Sequence, residues 1–68
     1  MKITKLNNYN AMLSKNIKPN SFVISRNNYL KFRVRQIAPE GLAWCYRKDE
    51  NNETEYQWFY PNEIDLLS

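Results

Sequence analysis

The sequence predicts a mainly β domain, a small antiparallel barrel of four to five strands behind a short N-terminal helix or extended segment. Three observations carry that reading. From Ser21 onward the period of the pattern is two, and β-branched and aromatic residues dominate. The stretches between are short and supply Asn, Asp, Pro or Gly where a tight turn needs them. The length, 68 residues, suits one domain that buries about 60% of the surface of its unfolded chain. With 43% hydrophobic and 15% aromatic residues the chain is too apolar to read as disordered. The expected organisation is a single domain over 1–68, with residues 1–17 as an N-terminal segment and 18–68 as the barrel.

Within residues 3–17, Ile3, Leu6, Leu13 and Ile17 are spaced to share one helical stripe, and "NNYNAMLSKN" offers an Asn cap before Tyr9. A short helix is expected near residues 8–16, ended before Pro19 because the residue preceding proline is pushed out of the helical region. "MKITKL" can alternatively be an edge strand. Four strands follow in "SFVIS", "LKFRVRQI", "LAWCYRK" and "TEYQWFY". Between the second and third, "APEG" places Pro39 where a type I turn prefers it, and Gly41 where a three-residue hairpin takes a left-handed residue. "NN" at 27–28 and "DENNE" at 49–53 offer asparagines that tolerate the same conformation.

A turn at 39–41 sets Ala38 opposite Leu42, Gln36 opposite Trp44, Val34 opposite Tyr46 and Phe32 opposite Lys48. The expected core face is then Phe32, Val34, Leu42, Trp44 and Tyr46. Lys31, Arg33, Arg35 and Arg47 share the other face, with Arg33 opposite Arg47 in a like-charge pair. Pairing Lys48 with Thr54 across the next loop puts Glu55 beside Arg47, Gln57 beside Cys45, and Tyr56, Trp58 and Tyr60 on the core face. A slip of one residue would turn Glu55 inward, which burial of a charge disfavours.

Short antiparallel strands closed by a terminal turn describe an SH3-like barrel, whereas an open sheet would leave two unprotected edges. In the tail "YPNEIDLL", Pro61 forces a turn, and Ile64 with Leu66 or Leu67 is placed to plug one barrel end. The succession "KPNSFVIS", "FRVRQIAPEGLAWCY" and "WFYPNEIDLL", over roughly residues 18–67, resembles small bacterial and phage SH3-like domains related to the YodC-like family. Asn20 stands where those domains usually carry Asp, and residues 1–17 have no counterpart in them. The resemblance implies a binding module.

Residues 1–39 carry eight cations and no acid, and residues 40–68 carry two cations and seven acids. The halves, +8 and −5, either mark an acidic partner or neutralise each other within the fold. There is no histidine, so the commonest general base and metal ligand is missing. One cysteine builds neither a disulfide nor a zinc site, and one glycine makes no phosphate-binding loop. Cys45 reads as a small hydrophobe on a strand. The carboxylate pairs Glu53 with Glu55 and Glu63 with Asp65 read as solvated surface. The expectation is a non-enzyme without cofactor or metal.

No apolar run approaches the length that spans a bilayer, and "MKITKLNN" lacks an apolar stretch behind its charges. A cytoplasmic protein with no membrane partner is expected. Its expected action is to occupy a macromolecular partner, first of all a protein, as adaptor or inhibitor. Ten asparagines suit AT-rich coding DNA, as in phages and mobile elements, where the target would be a host factor or defence complex. The alternative is a DNA- or RNA-binding barrel with cations on phosphates and a ring stacked on bases. Candidate contact residues are Arg26, Lys31, Arg33, Arg35, Arg47, Tyr56 and Phe59, and the cluster Trp44, Tyr46, Tyr56, Trp58, Phe59 and Tyr60 should leave one or two rings accessible. "KFRVR" can equally be the wet face of a half-buried strand, and the chain a monomer or a homodimer through an edge strand.

Overall fold

The computed structural model describes residues 4–68, with side-chain placement from Asn8 onward. Helix α1 (Thr4–Ser14) is followed by β1 (Phe22–Ser25), β2 (Lys31–Ile37), β3 (Ala43–Lys48), β4 (Thr54–Phe59), a 3-10 turn (Pro61–Glu63) and β5 (Ile64–Leu66). The five strands form one antiparallel sheet in the order β4-β3-β2-β1-β5. The mainly β class is as predicted, and this strand order is consistent with an SH3-like barrel.

Helix α1 begins ahead of the expected Asn cap and stops at Ser14, with Asn16, rather than Pro19, setting its end. Asn16 takes the left-handed conformation at φ 62°. Its N–H donates to the Leu13 carbonyl at 2.9 Å, and the Ile17 N–H donates to the Met12 carbonyl at 3.1 Å. That pair of bonds is the Schellman ending, and its accompanying apolar contact is made by Met12 and Ile17, both buried. Leu13 of the expected stripe is exposed; Ile3 and the side chain of Leu6 lie outside the described residues.

Two hairpins use one loop design. Ala38 donates to Leu42 across the first and Asp49 to Glu53 across the second, both through backbone N–H groups. The third loop residue is left-handed in each, Gly41 at φ 93° and Asn52 at φ 62°. At Gly41 the lack of a side chain also admits the helix: a Cβ there would lie 2.5 Å from the Asn8 carbonyl carbon and the Tyr9 nitrogen. Helix α1 is tied at its other end by Lys15, whose Nζ donates to the carbonyls of Pro61 at 2.6 Å and Ile64 at 2.9 Å. In the β1–β2 turn the left-handed residue is Tyr29, at φ 60°, rather than either expected asparagine.

The first hairpin starts in the expected register, with Ile37 opposite Ala43 and Gln36 opposite Trp44. A β-bulge at Arg35 then intervenes, so Val34 faces Cys45 and Arg33 faces Tyr46. One extra residue exchanges the faces of β3 relative to β2. Ala43 and Cys45 therefore join Phe32 and Val34 in the core, while Trp44 and Tyr46, expected inside, lie on the outer face. Leu42 is only half-buried. The β3–β4 register is the expected one, from Lys48 opposite Thr54 to Ala43 opposite Phe59. Its faces follow β3, so Phe59 is buried and Tyr56, Trp58 and Tyr60 are exposed.

Among the described residues the core consists of Met12, Ile17, Val23, Phe32, Val34, Ala43, Cys45, Phe59 and Ile64, with Leu30 and Ile37 packed against it. Phe32 and Phe59 meet edge to face, ring centres 4.9 Å apart and planes at 74°. Ile64 is buried in the core on β5, a strand where the sequence suggested a terminal turn, whereas Leu66 and Leu67 are exposed.

Candidate functional site

The bulge at Arg35 leaves the outer face of the sheet with large side chains that β3 and β4 hold side by side. Trp44 lies directly across from Trp58 and Tyr46 across from Tyr56. The rings form a continuous ladder. Tyr46 lies 6.1 Å from Tyr56, Tyr56 stacks on Trp44 at 5.2 Å with planes 11° apart, and Trp44 meets Trp58 at 4.6 Å. Trp58 remains 44% exposed and Tyr56 50%, while Trp44 and Tyr46 are half-buried between neighbours.

One row of this face runs straight across four strands. Tyr56 pairs with Tyr46, Tyr46 with Arg33, and Arg33 with Phe22. The Arg33 guanidinium lies over the Phe22 ring, 5.0 Å from its centre, and Lys31 Nζ approaches the same ring at 5.6 Å. Beside this row opens a cleft of about 420 Å³ lined by Phe22, Lys31, Phe32, Arg33, Tyr46, Arg47 and Lys48.

The expected basic face is divided by these contacts. Arg33 faces Tyr46 instead of Arg47, because of the bulge. Arg47 lies across from Glu55, as expected, and bonds its Oε1 at 2.8 Å, with its guanidinium over Phe32 at 5.9 Å. Arg26 does not extend the patch. It forms a two-bond pair with Asp65 of β5 at 2.8 and 3.0 Å, and Lys15 Nζ approaches the same carboxylate at 3.6 Å. The Arg26 hydrogen bond holds the Asp65 carboxyl below the usual carboxylate range. Arg35 is exposed at the bulge and Lys31 at the cleft mouth. Phe59, expected as an accessible ring, is 3% exposed and belongs to the core.

Phe22 and Lys48 join the site without having been singled out in the sequence. "SFVIS" gives no alternation at Phe22, Val23 and Ile24, and nothing there marks which residue faces out. A signal for the bulge is present, however: Phe32, Val34 and Ile37 can share a face only if an extra residue is inserted after Val34.

Cys45 is fully buried, and burial pushes its thiol up to about 12. The thiol is therefore protonated and enclosed at neutral pH. Among the described residues no cluster of His, Cys, Asp and Glu is arranged to hold a metal ion, and no helix is long and apolar enough to cross a membrane. The chain matches no known family, no curated protein and no solved structure.

Proposed function

We propose that this chain is a non-enzymatic interaction module that occupies a protein partner, as adaptor or inhibitor, with the outer face of its sheet. The observation that carries the reading is the four-ring ladder continued by Arg33 and Phe22. Trp, Tyr and Arg are the residues that dominate binding energy in protein interfaces, and they do so when gathered in one patch. Here two Trp, two Tyr and one Arg are gathered on one sheet face. A chain without histidine, whose one thiol is buried and protonated, offers little nucleophilic or general-base chemistry to compete with this reading.

A nucleic-acid ligand is the weaker alternative because the rings lean on each other. Base stacking needs free ring faces, and in the ladder Tyr56 and Trp44 each turn one face to the other. Asp49, Glu50 and Glu53 in the β3–β4 loop would also repel a passing phosphate backbone.

The two readings separate in one pair of measurements. Random linear peptides displayed on a library are panned against the immobilised wild-type chain and against a folded Tyr56→Ala/Trp58→Ala variant. Peptides enriched on the wild type and lost on the variant support protein recognition. Binding of labelled single-stranded DNA or RNA that weakens steeply between about 50 and 200 mM salt would replace it with the nucleic-acid reading.

A further inference from the structure

We propose that the cleft beside Arg33 seats a carboxylate side chain of the partner, so that the segment this chain recognises is acidic with an apolar neighbour. This rests on the interaction reading above and names the chemistry of the partner at the same face.

Charge is the first support. Lys31, Arg33 and Lys48 line the cleft, and the ion pairs among the described residues are Lys15 and Arg26 with Asp65 and Arg47 with Glu55. Residues 1–7 contain no Asp or Glu that could serve the cleft. Three cations therefore converge on one concavity without a carboxylate partner.

Desolvation is the second. Arg33 is half-buried in the row between Tyr46 and Phe22, and its Nε is buried with no hydrogen-bond acceptor. A guanidinium N–H shielded from water without an acceptor is unfavourable, and a carboxylate is the planar acceptor that matches the guanidinium fork. An incoming carboxylate thus meets a guanidinium that no acidic side chain among the described residues pairs. The walls of the cleft include Phe22, Phe32 and Tyr46, which favour an apolar group beside the acid.

Phosphate chains suit the cleft less well. Lys48 is followed at once by Asp49 and Glu50, within the Debye length of about 10 Å at 0.1 M salt. A single carboxylate ends before reaching those acids, whereas a polyanion tracking the cleft continues into them.

The experiment uses the peptides enriched by the full wild-type chain. Sequencing is expected to show Asp or Glu next to an aromatic or aliphatic residue. For a synthetic peptide of that sequence, Arg33→Gln should weaken binding about tenfold or more, as should Asp→Asn or Glu→Gln in the peptide. Lys31→Gln with Lys48→Gln should weaken it in the same direction, and Lys18→Gln, which removes one charge as Arg33→Gln does but at an exposed position before β1, should leave it unchanged. Circular dichroism of each variant checks that it is folded. Enriched peptides that lack acids and tolerate Arg33→Gln, yet are lost on Tyr56→Ala/Trp58→Ala, would overturn the carboxylate seat and leave the interaction reading standing. An equal loss with Lys18→Gln would reduce the effect to net charge and overturn the seat as well. No enriched peptide, or nucleic-acid binding in its place, would overturn both.

Discussion

Phe59 and Trp58 are neighbours in β4 with opposite surroundings, and they give the sharpest comparison at the scale of single residues. Phe59 meets Phe32 in the core, whereas Trp58 leans on Trp44 in open solvent. Phe59→Ala should cost about 3–5 kcal/mol, enough to unfold most of so small a domain. Trp58→Ala should cost only about 0.5–1.5 kcal/mol, the worth of an aromatic pair, and leave a cooperative transition. Urea denaturation of both variants checks the contrast. Cys45 gives a second test. Its thiol, pushed up to about 12 by burial, should ignore a thiol reagent at neutral pH in the native protein and react once denaturant passes the unfolding midpoint. A native thiol that reacts at the rate of a free cysteine would contradict its place in the core. Cys45 was legible as a small strand hydrophobe from sequence; the faces of Trp44, Tyr46 and Phe59 were not, because a pattern of period two continues to look regular on either side of a bulge.

At the scale of elements, β1 to β4 and the three-residue hairpin at 39–41 are visible in the sequence, and the asparagines of 49–53 mark the left-handed position of the second hairpin, whereas β5 looks like part of a terminal turn. The bulge is harder to see, since only the interval from Val34 to Ile37 betrays it. The helix boundary was obscured for another reason: Asn16 ends α1 through backbone bonds that look in sequence like one more asparagine among ten. How the helix docks depends on a residue far along the chain. Gly41→Ala would force a left-handed backbone on a residue with a Cβ, unfavourable by about 1–2 kcal/mol, and would push that Cβ into the Asn8–Tyr9 backbone. The expected result is a lower melting temperature with loss of helical circular dichroism ahead of the sheet signal. Unchanged stability would mean that α1 does not lie against this turn.

Across the whole molecule, the ion pairs among the described residues engage Lys15, Arg26 and Arg47 and leave Lys31, Arg33 and Lys48 of the cleft without a carboxylate partner. Arg26 and Lys15 converge on Asp65 and join the β1–β2 turn, α1 and β5. Because the Arg26 hydrogen bond depresses the Asp65 carboxyl in the folded state, this contribution is complete above the ordinary carboxylate range and disappears as pH falls through the lowered value. Melting temperatures of the wild type and Asp65→Asn should therefore differ at neutral pH and converge in acid; a difference that persists there would assign the effect to packing. The same distribution of charge explains why the site was only partly legible. Lys31, Arg33 and Tyr56 could be picked from the strand pattern, but Arg26 and Arg47 are claimed by acids, Asp65 across the β1–β5 pairing and Glu55 across the hairpin.

The most direct test of the docking face is a nitrogen-resolved NMR titration of the wild-type chain with an acidic peptide enriched on it. The indole N–H signals of Trp44 and Trp58 and the backbone amides of Arg33 and Tyr46 should move together and saturate at one affinity. Shifts confined to α1 and the 3-10 turn, with both indoles unmoved, would place recognition on the opposite side of the molecule and contradict the account.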